Sequence, residues 1–328
     1  MRSFRRDPAL RRDHYQDLTD TVIAALEAGT APWRKPWNPD ACGGSTAPVN
    51  AATGHRYRGV NLFVLGMSPL AMMAGDPRWC SYRQAIARGW QVRKGAKATP
   101  VYFYKPIEIV DKVGEAEGET KRIPILKVFS VFHASQIDGI PELAPLAAPK
   151  TVVERIEDAE TILTASGVKV RIGGDRAFYH PALDFIQLPP DDAFESPPLR
   201  ASVALHELAH ATGHPSRLNR DLTGKFGSSA YSREELRAEL TSLLVGSEIG
   251  LPTDIPNHAS YIQSWIVNLK QDKREFFHAA AEAQRIADYI LGFHPAYAGT
   301  PAEPADEADD GPSTDPTGAA SAPAPLAA

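Results

Sequence analysis

The sequence predicts an α+β protein of two domains. An N-terminal α+β domain covers residues 1–140, and a mostly helical C-terminal domain with a small sheet covers residues 151–294. Three observations predict this. At 328 residues the chain exceeds what one hydrophobic core usually organises. Its charge changes sign along its length: residues 1–105 carry 16 Lys and Arg against 7 Asp and Glu, whereas residues 106–300 carry 19 against 27. Strand-like runs up to residue 132 then give way to long runs with helical spacing after residue 151. A hydrophobic content of 43% is ample for cores, and no apolar run approaches transmembrane length.

Taken in order, Asp13 opens a helix whose apolar face is Tyr15, Leu18, Val22, Ala25 and Leu26 and which Gly29 ends. Thr99–Tyr104 and Lys127–Phe132 read as strands, with a polar excursion from Asp111 to Arg122 between them. The Pro- and Ala-rich residues 141–150 form the expected linker. The second domain opens with an amphipathic helix from Val152 to Thr164, followed by strands at Val168–Ile172 and Asp184–Leu188. Residues Ala259 to Gly292 are expected to be mostly helical, with Trp265, Leu269, Phe276 and Ile286 in the core. The Ala-, Pro- and acid-rich residues 295–328 are expected to be disordered. The charged N-terminus lacks an apolar stretch, so no secretory signal is expected. Cys42 and Cys80 are too few for a disulfide framework, which fits a cytoplasmic location.

The most informative stretch is His206-Glu207-Leu208-Ala209-His210. Ser196 followed by Pro197 and Pro198 gives it a helix start, with a Ser cap and Pro in the first turn. Positions four apart share a helix face, so His206 and His210 can present both imidazoles to one metal ion. Glu207 stands beside them, where a carboxylate can take a proton from water activated by the metal. The bland alternative is a core helix with two hydrogen-bonded histidines.

A catalytic zinc usually has three protein ligands, so a third is needed. Ser232 with Glu235 reads as a capping box opening a second helix, on which Glu235 and Glu239 share a face. The string Glu235-Leu236-Arg237-Ala238-Glu239 resembles the E-x-x-A-D/N segment of gluzincin-type peptidases. That resemblance implies Glu235 as the third metal ligand and Glu239 as a support behind the ligands. His214 is the competing candidate, and a solvated helix face is the plain alternative for Glu234, Glu235 and Glu239.

In the basic first domain, aromatic side chains alternate with cations. Trp33 and Trp37 bracket Arg34 and Lys35; Tyr57, Arg58 and Asn61 follow, then Trp79, Trp90, Arg93 and Lys94. Aromatics that stack bases beside cations that track phosphates are what single-stranded DNA binding requires. Trp and Tyr are as readily core residues, and that alternative stays open.

The segments LEAGTAPWRKPW, TGHRYRGVNLFVL, DPRWCSYRQA, GWQVRKGAKATPV, HELAHATGHPSRLNR and SREELRAEL, in this order, resemble those of ArdC-type antirestriction proteins. The resemblance implies an N-terminal domain that binds single-stranded DNA and a C-terminal zincin-like metallopeptidase domain. It further implies His206 and His210 as metal ligands, Glu207 as general base, and Zn2+ or another divalent transition metal such as Mn2+. A role on mobile elements, protecting incoming DNA from restriction, is expected, with a protein near DNA as the substrate. The alternatives are a DNA-binding shield whose metal site is only structural, or a DNA-tethered protease acting on DNA–protein crosslinks.

Overall fold

The computed structural model describes residues 12–28, 47–74, 76–110, 120–143, 150–225, 227–251 and 259–299. The first helix, α1 (His14–Glu27), forms as expected: Asp13 caps it by accepting from the Gln16 N–H, and Leu18, Val22, Ile23 and Leu26 are buried. After β1 (Val49–Asn50), Gly59 with φ of 54° turns the chain into α2 (Val60–Gly66), and α3 (Pro69–Ala74) follows. β2 (Arg78–Ser81) leads into α4 (Tyr82–Ala87) and β3 (Gln91–Val92).

The two strands expected near residues 99 and 127 are longer than their apolar cores. β4 (Thr99–Val110) and β5 (Thr120–His133) pair antiparallel from Thr99 opposite Val131 to Val110 opposite Thr120. The sheet order is β1-β2-β5-β4, and β3 pairs separately with β6 (Ile137–Asp138).

In the second half, Thr151 caps α5 (Val152–Ala165) through a capping box with Glu154. β7 (Lys169–Ile172), β8 (Phe178–His180) and β9 (Phe185–Leu188) form a sheet of order β7-β9-β8. The two strands expected at 168–172 and 184–188 are β7 and β9; β9 is central and β8, which the sequence did not reveal, is the outer strand on one side. At three residues, β8 carries too little alternation to be seen in sequence.

α6 (Pro197–Ala211) is followed by α7 (Ser229–Ile249), α8 (Ala259–Gln271) and α9 (Glu275–Leu291). The start of α7 corrects one expectation. Ser228, not Ser232, is its cap and accepts from the Tyr231 N–H; Ser232 is buried within the helix. The expected tail boundary also moves: Tyr297 donates from its hydroxyl to Asp158 and accepts from Lys150 at 3.0 Å, so defined packing continues past residue 295. The rest of the tail lies outside the described residues.

The halves are not two separate cores. One apolar cluster contains Leu18 and Val22 of α1, Phe63 of α2 and Tyr102 of β4 together with Leu208, Leu236, Trp265 and Phe276. Tyr15 and Tyr102 both meet Phe277 edge to face, at 4.7 and 5.2 Å between ring centroids. Charge complementarity seals the rim: Arg56 pairs with Glu248, Arg58 with Asp288, Lys270 with Glu27 and Lys273 with Asp13. Part of the charge asymmetry read from sequence is therefore spent within the molecule.

Candidate functional site

Ser196 accepts from the Leu199 N–H and Pro occupies the first turn of α6, so this helix starts as its sequence requires. Its other end is fixed by two arginines from the following loop. Arg217 donates from Nε to the Ala211 carbonyl at 2.7 Å, and Arg220 donates from Nη2 to the Ala209 carbonyl at 2.8 Å. Cations at the last carbonyls of a helix complement its dipole. Gly213 permits this turn, because a Cβ there would stand 2.8 Å from the Leu222 side chain.

With α6 held at both ends, His206 and His210 meet edge to face one turn apart, their ring centroids 4.9 Å apart. α7 brings Glu235 against them. His206 Nε2 lies 3.8 Å from one oxygen of that carboxylate, and His210 Nε2 lies 3.6 Å from the other. The three donor atoms lie within 4.8 Å of one another and converge at separations that suit a shared ion better than direct hydrogen bonds. Glu207 and Glu239 are both buried, Glu239 one turn beyond Glu235. His214, the competing third ligand, faces away: its Nδ1 meets Ser216 at 2.7 Å and approaches Asp184. Another group, Asp272, Glu275 and His278, has its central carboxylate held by Arg237 at 2.8 Å.

The outer nitrogens of both imidazoles are anchored by residues that sequence reasoning did not assign to this task. Ser242 donates its hydroxyl to the Ala238 carbonyl and so accepts from His206 Nδ1 at 3.2 Å. His210 Nδ1 donates to Glu234 at 3.3 Å. Both contacts leave Nε2 as the nitrogen available to a metal. Glu234 is pinned in turn by Arg220, at 2.6 Å to one oxygen and 3.2 Å to the other. Glu234 and Ser242 are thus anchors that the sequence did not single out for this task. Adjacent glutamates on one helix gave no sign of which turned inward.

The electrostatics follow from this crowding of carboxylates. Burial disfavours a charged His210, but Glu235, Glu234 and Glu207 outweigh it and push its pKa up to about 9. Burial acts to raise Glu234, yet hydrogen bonds from His210 and Arg220 hold it below the usual glutamate range. Tyr231 and Tyr261 bring their hydroxyls within 3.3 Å of each other, and the negative charge of Glu235 reaches both.

The residues expected to contact DNA divide into three groups. Trp33, Arg34, Lys35 and Trp37 lie outside the described residues. Tyr57, Asn61 and Trp79 are buried, at 2%, 4% and 0% exposure, and act as framework instead of as a binding surface. Tyr57 and Trp79 pack with Leu65, Val101 and Val131. The Asn61 amide donates to the Tyr102 carbonyl at 2.8 Å and accepts from its N–H at 2.6 Å, tying α2 to β4. Arg58 is drawn into its ion pair with Asp288. Trp90 is half-buried, while Arg93 and Lys94 are exposed, Arg93 donating to Asp138 at 2.7 Å.

Comparison with known proteins places these features. Residues 12–132 match the family model for the N-terminal domain of anti-restriction factor ArdC, and residues 157–282 match that for a zincin-like metallopeptidase. Two Escherichia coli proteins named DNA primase TraC are each 43% identical over 87% and 88% of this chain, which spans only 27% and 21% of their length. An uncharacterized protein of Sinorhizobium fredii is 38% identical over 87% of this chain and 94% of its own. Crystal structures of the antirestriction ArdC protein from plasmid R388, metal-free and Mn(II)-bound, superpose with a TM-score of 0.70 each. They are 38% and 36% identical over 86% of this chain and 98% of theirs. With both models matched in order and nearly the whole R388 protein covered, the chain belongs to the ArdC antirestriction family.

Proposed function

We propose that this protein binds single-stranded DNA through its N-terminal domain and protects incoming DNA of a mobile element from restriction, using a metal-dependent peptidase site. The observation that carries the peptidase part is the convergence of His206 Nε2, His210 Nε2 and Glu235 beside a buried Glu207 on the same helix. Two imidazoles and one carboxylate suit a divalent transition metal, and Mn(II) is bound in the R388 relative. Zn2+, or another such ion as Mn2+, would supply Lewis acidity when bound there, acidifying water and polarising a scissile carbonyl. His206, His210 and Glu235 would hold it, with Ser242 and Glu234 fixing which imidazole nitrogens face inward. Glu207 takes the proton of the attacking water and passes it to the leaving amine. The substrate in this reading is a protein on or near the bound strand.

The competing reading is a shield that coats DNA while the metal only holds the fold. A buried carboxylate between the two histidines favours catalysis, because a structural site has no use for a base there. Replacing Glu207 by Gln, with metal content checked by elemental analysis, separates the two. Unmodified DNA transferred into a restricting host loses its protection if the peptidase acts; full protection with the metal retained would leave only the shield. Among the described residues no helix is long and apolar enough to cross a membrane.

A further inference from the structure

With Tyr57 and Trp79 in the core, base stacking requires another surface. Residues 77–107 carry seven Lys and Arg and no Asp or Glu. Some of these cations are committed: Arg78 grips Asp76, Arg93 reaches Asp138 and the Ser135 carbonyl, and Arg88 donates to the Ala52 carbonyl. The side chains of Arg83, Lys94 and Lys97 are exposed and, among the described residues, meet no hydrogen-bond or ion-pair partner. All three belong to one small unit, in which α4 and the β3–β6 pair close over Cys80, Ala85, Val92 and Ile137.

The outer face of α4 supplies an apolar platform among these cations. Ala85 is buried while Tyr82, Arg83 and Ile86 are exposed, Tyr82 and Ile86 being neighbours one turn apart. Tyr82 is 44% exposed and Ile86 51%, although both are large apolar side chains. The Tyr82 ring is braced edge-on by Phe132, with centroids 6.5 Å apart. Ser81 and Gln84 lock the helix start with a capping box. A few residues on, Gly95 with φ of 84° shapes the turn that carries Lys94 and Lys97.

We infer that the outer face of α4 and the turn after β3 form a single-stranded-DNA site, in which a base stacks on Tyr82 against Ile86 and phosphates meet Arg83, Lys94 and Lys97. This rests on the DNA-binding part of the proposed function. Cations alone would serve any polyanion, but a rigid exposed ring beside an aliphatic side chain gains only from an unstacked base, which a duplex does not offer. The halves of the molecule also separate by charge, so the acidic half cannot compete for the strand.

The test uses the full-length protein and a fluorescein-labelled oligothymidylate, with a hairpin duplex as comparison, followed by anisotropy across a salt series. Tyr82→Ala is expected to weaken single-strand binding roughly 5- to 100-fold, while Tyr82→Phe keeps the ring and stays near wild type. The triple variant Arg83→Ala, Lys94→Ala, Lys97→Ala is expected to flatten the slope of log K against log salt by about 2, near 0.7 for each lost phosphate contact. The substituted side chains are exposed, and unchanged thermal melts verify that folding is intact. Wild-type affinity and slope in both variants would overturn the site while leaving DNA binding standing. No binding by the wild-type protein would overturn both. Duplex binding as tight as single-strand binding, and equally sensitive to Tyr82→Ala, would overturn the single-strand assignment.

Discussion

Replacing Glu234 by Gln should be costly to the fold and to the metal site together. Glu234 holds His210 through Nδ1 and neutralises Arg220, and both the carboxylate and the guanidinium are nearly buried, at 10% and 5% side-chain exposure. Removing one partner of a buried ion pair costs about 3–5 kcal/mol, because the other charge is left uncompensated. Arg220 keeps two further acceptors, Thr212 Oγ1 at 2.6 Å and the Ala209 carbonyl at 2.8 Å, so the lower end applies, about 3 kcal/mol. Loss of the anchor behind a metal-binding imidazole should also weaken metal binding by about 10- to 100-fold. Denaturant melts of the metal-free protein measure the first effect and competition with a chelating dye the second. The pH dependence has a fixed sign. Glu234 has a depressed carboxyl in the folded state, so its contribution is complete above the unfolded glutamate pKa of about 4.3 and is lost as pH falls through the lower folded value. The gap between wild type and Glu234→Gln therefore closes in acid. Equal melting and equal metal affinity near neutral pH would refute this account of the anchor.

Three further outcomes follow from the same structure. Trp79→Ala removes a fully buried indole packed 4.8 Å from the His133 ring; it should cost about 3–5 kcal/mol in denaturant melts while the folded protein keeps its affinity for single strands. A proton on His210 persists in the metal-free protein up to pH about 9, so its stabilising contribution is complete below the ordinary histidine range and lost as pH rises through 9. Metal must displace that proton, so apparent metal affinity measured by titration calorimetry should rise with pH and level off above 9. The Arg58–Asp288 pair is part-exposed, at 24% and 48%, so a double-mutant cycle with alanine at both positions should return only about 0.2–1 kcal/mol of coupling.

The helix that carries His206 and His210 was legible because its information is local. A Ser cap, prolines at the first turn and a four-residue spacing fix the helix and which side chains share a face, whatever the rest of the chain does. The meeting of Glu235 with the histidines was suggested by a short motif on a neighbouring helix, and the donor atoms do converge. What the sequence concealed is decided by long-range packing. Trp79 and Tyr57 looked like stacking platforms, yet their neighbours Val101 and Val131 come from β4 and β5 and enclose them. Arg58 looked free for a polyanion, but Asp288 lies 230 residues away in sequence and next to it in space. Glu234 and Ser242 gain their roles only when α7 is laid against α6. The cap at Ser228 was missed because Ser232 offers an equally good local pattern one turn later.

The most direct test of the central claim is X-ray absorption at the metal edge of the protein loaded with one equivalent of Zn2+, with Glu235→Ala as comparison. The account predicts one tightly bound ion per chain with two imidazole nitrogens and a carboxylate oxygen as its protein ligands, and loss of the carboxylate in the variant. A spectrum with fewer than two imidazoles, or one unchanged in Glu235→Ala, would contradict it.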